Sequence, residues 1–225
     1  VAVDNPDDLW ECYAAVRELL VGIEEKHGPR CEVIANYTGG TKTMSVAMVL
    51  AGLITEQCDL AVNMGPRPDL IKVRSGDTPV AVDKWRIFAE LQVELARKSI
   101  GDFDYAHAYL LLTEILKRPI DKFFRATILR SAQLCHAFDL WDKFLHAEAR
   151  ELLAACNAPL PKHQQAIKSI LGQGRYVQGY ELVGDLVNNA ARKAHRQYYD
   201  DAVARLYRAM ELFAQIRLKR QFDLE

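Results

Sequence analysis

The texture of this chain changes once, near Asp83, and that change restricts its architecture more than any other feature. Before it, apolar segments are short, β-branched residues are frequent, and glycine and proline punctuate them. After it, glycine and proline thin out and helical periodicity runs almost to the end. Strand–helix alternation followed by a run of helices means an α/β unit joined to an all-α unit, here residues 1–82 and 83–225. A chain of 225 residues is long enough to give each unit a core of its own. Charge divides the same way. Residues 1–82 carry 7 Lys/Arg against 12 Asp/Glu, and residues 83–225 carry 22 against 18. The net charge of −1 argues against a generic polyanion binder.

Within the first part, Asp7 or Asp8 can cap a helix whose apolar positions Leu9, Tyr13, Val16, Leu19, Leu20 and Ile23 keep a helical rhythm up to His27-Gly28-Pro29. Cys31–Asn36 reads as a short strand running into Tyr37-Thr38-Gly39-Gly40-Thr41-Lys42. A helix from Thr41 through Ile54 is apolar almost all round and should be covered on more than one face. Asp59–Asn63 and Leu70–Arg74 read as further strands, with turns at Gly65–Pro68 and Ser75–Pro79. In the second part the periodicity predicts helices at about 84–98, 103–117, 120–135, 138–156, 162–172, 178–194 and 199–218. Gly101–Ala106 and Gln197–Ala202 each precede an amphipathic helix and resemble the turn of a tetratricopeptide repeat. Their spacing is not that of an array, so they argue for helical hairpins and not a solenoid.

Five cysteines at positions 12, 31, 58, 135 and 156, without a Cys-x-x-Cys pair, read as reduced thiols of a cytoplasmic protein. The longest apolar run, Met44–Ile54, is too short for a membrane span, so no membrane partner is expected.

The turn at 38–42 is where the residue types converge on chemistry. Gly39 and Gly40 permit positive φ and close approach of another molecule to the backbone. The helix that follows exposes unpaired N–H groups and a partial positive charge, which suits a phosphate. Thr38, Thr41 and Thr43 add hydroxyls, and Lys42 adds a full charge. Ligands of open α/β sheets bind at the carboxyl ends of strands, where this turn lies. Neither a Walker loop nor a dinucleotide fingerprint is present. The residues alone also allow a plain strand-to-helix turn with Thr41 as N-cap and Lys42 in solvent.

The stretch Ala35-Asn36-Tyr37-Thr38-Gly39-Gly40-Thr41-Lys42-Thr43-Met44-Ser45 resembles the signature turn of CRISPR-associated Rossmann-type (CARF) sensor domains. Tyr199–Glu211 is similar to one subfamily of these proteins, the accessory ribonucleases of type III CRISPR systems, in which a helical domain and a HEPN nuclease domain follow the CARF unit. The resemblance implies a partial, Rossmann-like CARF domain over 1–82 and a helical domain over 83–225 that leads into a HEPN-like region. It implies a homodimer that binds cyclic oligoadenylate, with Thr38, Gly39, Gly40, Thr41 and Lys42 lining the pocket. Lys42 would also stabilise charge if the ring messenger is cleaved there. The messenger acts as an activator, no other cofactor or metal is implied, and single-stranded RNA is the substrate of the full-length protein. Nothing before Asp7 supplies the opening strand and phosphate loop of such a domain, and the Arg–His catalytic pair of a HEPN domain is expected beyond the helix at 199–218. The chain therefore reads as truncated at both ends and without ribonuclease activity of its own.

Other candidates carry less. Arg130 and His136 match the Arg–His spacing, but Ser131 is a poor polar partner and His136 is expected to be a half-buried helix residue. Arg192-Lys193-Ala194-His195-Arg196, followed by Tyr198 and Tyr199, could track RNA, though a solvated helix face accounts for it better. The stripes Trp85, Phe88, Leu91, Leu95 and Leu206, Tyr207, Met210, Phe213 are expected in the core. His107, His146 and His163 have no metal-ligand spacing. The rival reading is a non-catalytic helical scaffold, or interaction module, whose glycine turn is purely structural.

Overall fold

The computed structural model describes residues 3–64, 78–156, 159–173 and 179–222. It is mostly helical with a small three-stranded mixed sheet. The chain divides into two compact units, residues 1–89 and 90–225. Among the described residues no helix is long and apolar enough to cross a membrane.

The first unit opens with α1 (Leu9–His27), capped by Asp8, whose side chain accepts the Glu11 N–H at 2.8 Å. Strand β1 (Val33–Asn36), helix α2 (Lys42–Ile54) and strand β2 (Cys58–Met64) form a parallel βαβ unit in which Ala35 pairs with Leu60. Strand β3 (Thr78–Val82) then runs antiparallel to β2, giving the order β1-β2-β3. Residues 78–79 were expected in a turn on account of Pro79. Because β3 lies at one end of the described strand order, its proline can sit opposite Asn63 without breaking an interior ladder. The expected strand at Leu70–Arg74 lies outside the described residues.

Helix α2 presses closely on the sheet because its inner face is made of Ala47, Ala51 and Gly52, all buried. A Cβ on Gly52 would come within 2.5 Å of Leu60 Cδ2, so any side chain there would have to push the buried Leu60 aside. Leu20 of α1, Ala51 of α2 and Cys58 of β2 form the core, with Tyr13, Val16, Val33 and Ala35 packed on it.

Lys84, at the start of α3 (Lys84–Gly101), is 1% exposed and closes this core with charge. Its ammonium donates to the carbonyls of Gly52, Thr55 (2.7 Å), Glu56 (3.1 Å) and Cys58, and lies 4.3 Å from the Trp85 ring centroid. These are carbonyls from the end of α2 and the segment entering β2. A cation suits the negative end of the helix, and the carbonyls replace the water that the buried ammonium has lost. Lys84→Met would keep the length of the side chain and strand those acceptors. The expected loss is about 3 kcal/mol of stability, read as a lower urea midpoint for the full chain.

The second unit takes in most of α3 and then α4 (Tyr105–Leu116), α5 (Lys122–Asp142), α6 (His146–Ala155), α7 (Pro161–Ile170), α8 (Glu181–His195) and α9 (Tyr199–Phe222). Ala137 and Trp141 of α5, Ala149 and Leu153 of α6 and Ile167 of α7 form its main core. One boundary differs from expectation. The sequence suggested a break between 135 and 138, but α5 continues to Asp142 and the turn falls at 143–145, because Cys135, Ala137 and Trp141 are all buried on its inner face.

Three turns in this unit are built alike. Phe103, Phe144 and Gln197 all adopt positive φ, at 59°, 63° and 64°. Each donates its N–H three residues back, and the next residue donates five residues back, as in Asp104 N–H to Ser99 at 2.7 Å and Tyr198 N–H to Lys193 at 2.9 Å. These are Schellman turns made without glycine, and the left-handed backbone costs each of them about 1 kcal/mol. Phe103 offsets that cost by packing edge-on against Tyr105 and His195. Gln197 is exposed and has no such contact. Gln197→Gly is therefore expected to raise the melting temperature by roughly 2–4 °C, while Phe103→Gly lowers it.

Candidate functional site

The turn between β1 and α2 is held from below by a polar clasp. Asn36 Oδ1, at the end of β1, accepts from the Thr38 N–H (3.0 Å) and the Thr38 hydroxyl (2.6 Å). The Thr38 hydroxyl in turn accepts the N–H of Asn63 on β2 at 2.7 Å, and the Asn36 amide reaches Asn63 Oδ1 at 2.6 Å. The carboxyl ends of the two parallel strands are thus joined just beneath the glycines. Gly40 has φ 88°, a left-handed conformation that favours glycine.

Thr41 is the N-cap of α2. Its oxygen accepts the Met44 N–H at 3.2 Å, and its hydroxyl donates to the Pro6 carbonyl at 3.0 Å. The Ser45 hydroxyl donates to the Gly39 carbonyl at 3.2 Å. The hydroxyl protons of Thr38 and Thr41 are therefore committed within the protein.

The backbone donors of the turn are not. Among the described residues, the N–H groups of Gly39, Gly40, Thr41, Lys42 and Thr43 find no acceptor, and Lys42 is exposed with no ion-pair partner. Five free amides, a helix N-terminus and one unpaired ammonium form a cationic rim at the carboxyl edge of the parallel pair. Such an arrangement can hold an anion through its backbone and draw it in with one mobile charge. The sequence pointed to these positions; what it could not show is that the hydroxyls of Thr38 and Thr41 are spent within the protein, while the amides and Lys42 stay without a partner among the described residues.

The remaining candidates are distributed through the helical unit. His136 lies half-buried on α5 and stacks on Tyr109 of α4, with ring centroids 4.8 Å apart. Arg130 sits roughly 120° away around the same helix, so the two do not converge.

The basic cluster on α8 is neither a solvated face nor a free RNA track. Arg192 Nε and Lys193 Nζ both reach the Asp142 carboxylate at 2.9 Å, and Arg196 reaches Asp104 at 2.6 Å. Asn189, fully buried, donates to both the carbonyl and the carboxylate of Asp142. One turn earlier, Asp185 accepts from Trp141 Nε1 and meets His146 Nε2, each at 2.9 Å. Position 185 escaped the sequence reading because its partners come from other helices. An acid and an amide at helical spacing from two cations were the available sign.

The two expected core stripes are also different. Leu91 and Leu95 are exposed on α3, and on α9 Leu206, Tyr207, Met210 and Phe213 are all exposed, Met210 at 64%. The inner face of α9 is made instead by the small residues Ala202 and Ala209.

The five cysteines are free thiols, and burial pushes Cys135 up to about 11 and raises Cys58 and Cys156. These three stay protonated near neutrality and are poor nucleophiles. No group of residues able to hold a metal ion occurs among the described residues.

Two comparisons bear on these observations. No curated protein matches the chain. Residues 173–223, which contain the α8–α9 hairpin, match the family model described as the Csm6 HEPN domain. This similarity supports a CRISPR-associated accessory protein of type III systems.

Proposed function

We propose that this chain carries the sensing turn and the helical portion of a cyclic-oligoadenylate-activated protein of antiviral defence. The observation that carries the reading is the combination, in one chain, of the HEPN-like segment 173–223 with the free amides at Gly39–Thr43 beside the unpaired Lys42. A cyclic oligoadenylate presents repeated phosphodiesters, the anionic linkages that such a rim accepts. The reading takes residues 1–82 as a partial CARF domain and 83–225 as the helical domain that follows it. In the homodimer, two such turns would face one ring, and Gly39, Gly40, Thr41 and Lys42 would meet its phosphates while Thr38 fixes the loop. Tighter binding of the messenger to one arrangement of the dimer would shift the population towards a nuclease-competent state acting on single-stranded RNA.

The test is a thermal-shift series on the full-length protein with cyclic oligoadenylates of different ring size. At a ligand concentration a hundred times Kd, the expected gain is about 2.7 kcal/mol. Lys42→Ala should remove most of it, because it deletes the one mobile charge at the rim. His136→Ala should leave messenger-stimulated RNA cleavage unchanged, since that ring stacks on Tyr109. No shift with any ring, together with a silent Lys42→Ala, would leave the turn a purely structural element of a helical scaffold.

A further inference from the structure

The helical unit contains a second feature with the make-up of a binding site, and none of the residues discussed for the turn takes part in it. A cavity of about 700 Å³ opens where α4, α5, α7 and α8 meet. Its floor is an aromatic ladder. Tyr105 stacks on Phe138 with centroids 5.4 Å apart, and Phe138 stacks on Trp141 at 6.2 Å and only 10° between planes. His163 stands edge-on to both Phe138 (5.4 Å) and Trp141 (6.3 Å), and His195 stands edge-on to Phe103 at 5.2 Å.

The rim is polar and its donors are unspent. Among the described residues, the Tyr105 hydroxyl, the Lys162 ammonium, the Asn188 amide and the imidazoles of His163 and His195 have no hydrogen-bond or ion-pair partner. Burial raises the pKa of Tyr105, so its phenol remains a neutral donor. The charged groups deeper in the cavity are already satisfied. Both oxygens of Asp185 are taken by Trp141 and His146, and Arg192 is held by Asp142. An incoming ligand therefore meets no bare carboxylate.

A concave aromatic floor with a few converging donors is the usual form of a small-ligand site, and the volume is within the range of such sites. The floor calls for a flat π-system, and Asn188 and Tyr105 can read the edge of a heteroaromatic ring. Lys162, with the N–H groups of His163 and His195, supplies donors for a phosphate. We propose that this cavity binds one nucleotide unit, a nucleobase together with its phosphate, delivered either as a free mononucleotide or as one unpaired residue of a single-stranded RNA. This site is independent of the reading of the turn at 38–42 and would stand if that reading failed.

The experiment is calorimetric titration of the full chain with uridine 5′-monophosphate, uridine, inorganic phosphate, a single-stranded hexauridylate, and the same hexamer in a duplex with its complement. Uridine probes are used because they share no base with the adenylate messenger. The expected result is saturable binding of the monophosphate, at least about tenfold weaker binding of uridine and of phosphate, and a roughly tenfold loss in the double variant Lys162→Ala, His163→Ala. Both substituted side chains are exposed, so the fold should survive. Lys168→Ala, also on α7 but outside the cavity, should bind normally. If the single strand competes with the monophosphate the natural source is RNA, and if it does not the source is a free nucleotide; both agree with the proposal. Phosphate binding as tightly as the monophosphate would leave the aromatic floor idle and overturn it. So would a duplex binding as tightly as the single strand, since paired bases cannot enter. An unchanged affinity in the double variant, or no binding of any probe, overturns it as well.

Discussion

Two carboxylates taken out of water, Asp142 and Asp185, set the arrangement of the helical unit. A buried carboxylate without partners costs several kcal/mol, so each has to be met by donors from the facing element. Asp142, at the end of α5, is met by Asn189, Arg192 and Lys193 of α8, and Asp185 of α8 is met by Trp141 and His146 from α5 and α6. The pairing runs in both directions, acid on each side and donor on each side. Sliding α8 by one turn along the α5–α6 corner would strand both acids at once. Apolar packing through Leu186 and Ala190 stabilises α8 but would tolerate several registers; the ion pairs select one.

That selection bears on everything nearby. The HEPN-like segment begins just before α8 and is carried by it into α9. The same pairing consumes the cations that otherwise look like an RNA-binding strip, and it occupies both oxygens of the acid at the aromatic cavity. Where charge is used to position helices it is not free for recognition. The groups left for ligands are those with no intramolecular partner among the described residues, the amides and Lys42 of the turn in one unit and the rim donors of the cavity in the other.

The first unit follows the same economy by other means. There a single ammonium, Lys84, gathers the carbonyls left over at the end of α2 and the entry to β2. With that end closed by the protein itself, the opposite end of α2 remains the open one. The asymmetry is what one helix between two parallel strands produces: its carboxyl end turns back into the next strand, while its amino end emerges at the carboxyl edge of the sheet.

What was legible in the sequence was local. The change from alternating elements to continuous helices, the strand-to-helix turn at 36–42 and most helix positions rest on side-chain periodicity, caps and glycine, each decided within a few residues. What only the tertiary structure decided was partnership. No local pattern distinguishes a lysine destined for a nest of carbonyls from one left in solvent, as Lys84 and Lys42 demonstrate. Nor could periodicity tell that the stripe of Leu206 and Met210 stays exposed, because the small residues Ala202 and Ala209 form the inner face of α9. The left-handed turns at Phe103, Phe144 and Gln197 carry no glycine to announce them; they exist because helix packing on either side outweighs about 1 kcal/mol of backbone strain at each. Periodicity is a property of one segment, whereas burial, pairing and strain depend on which distant segment arrives opposite it.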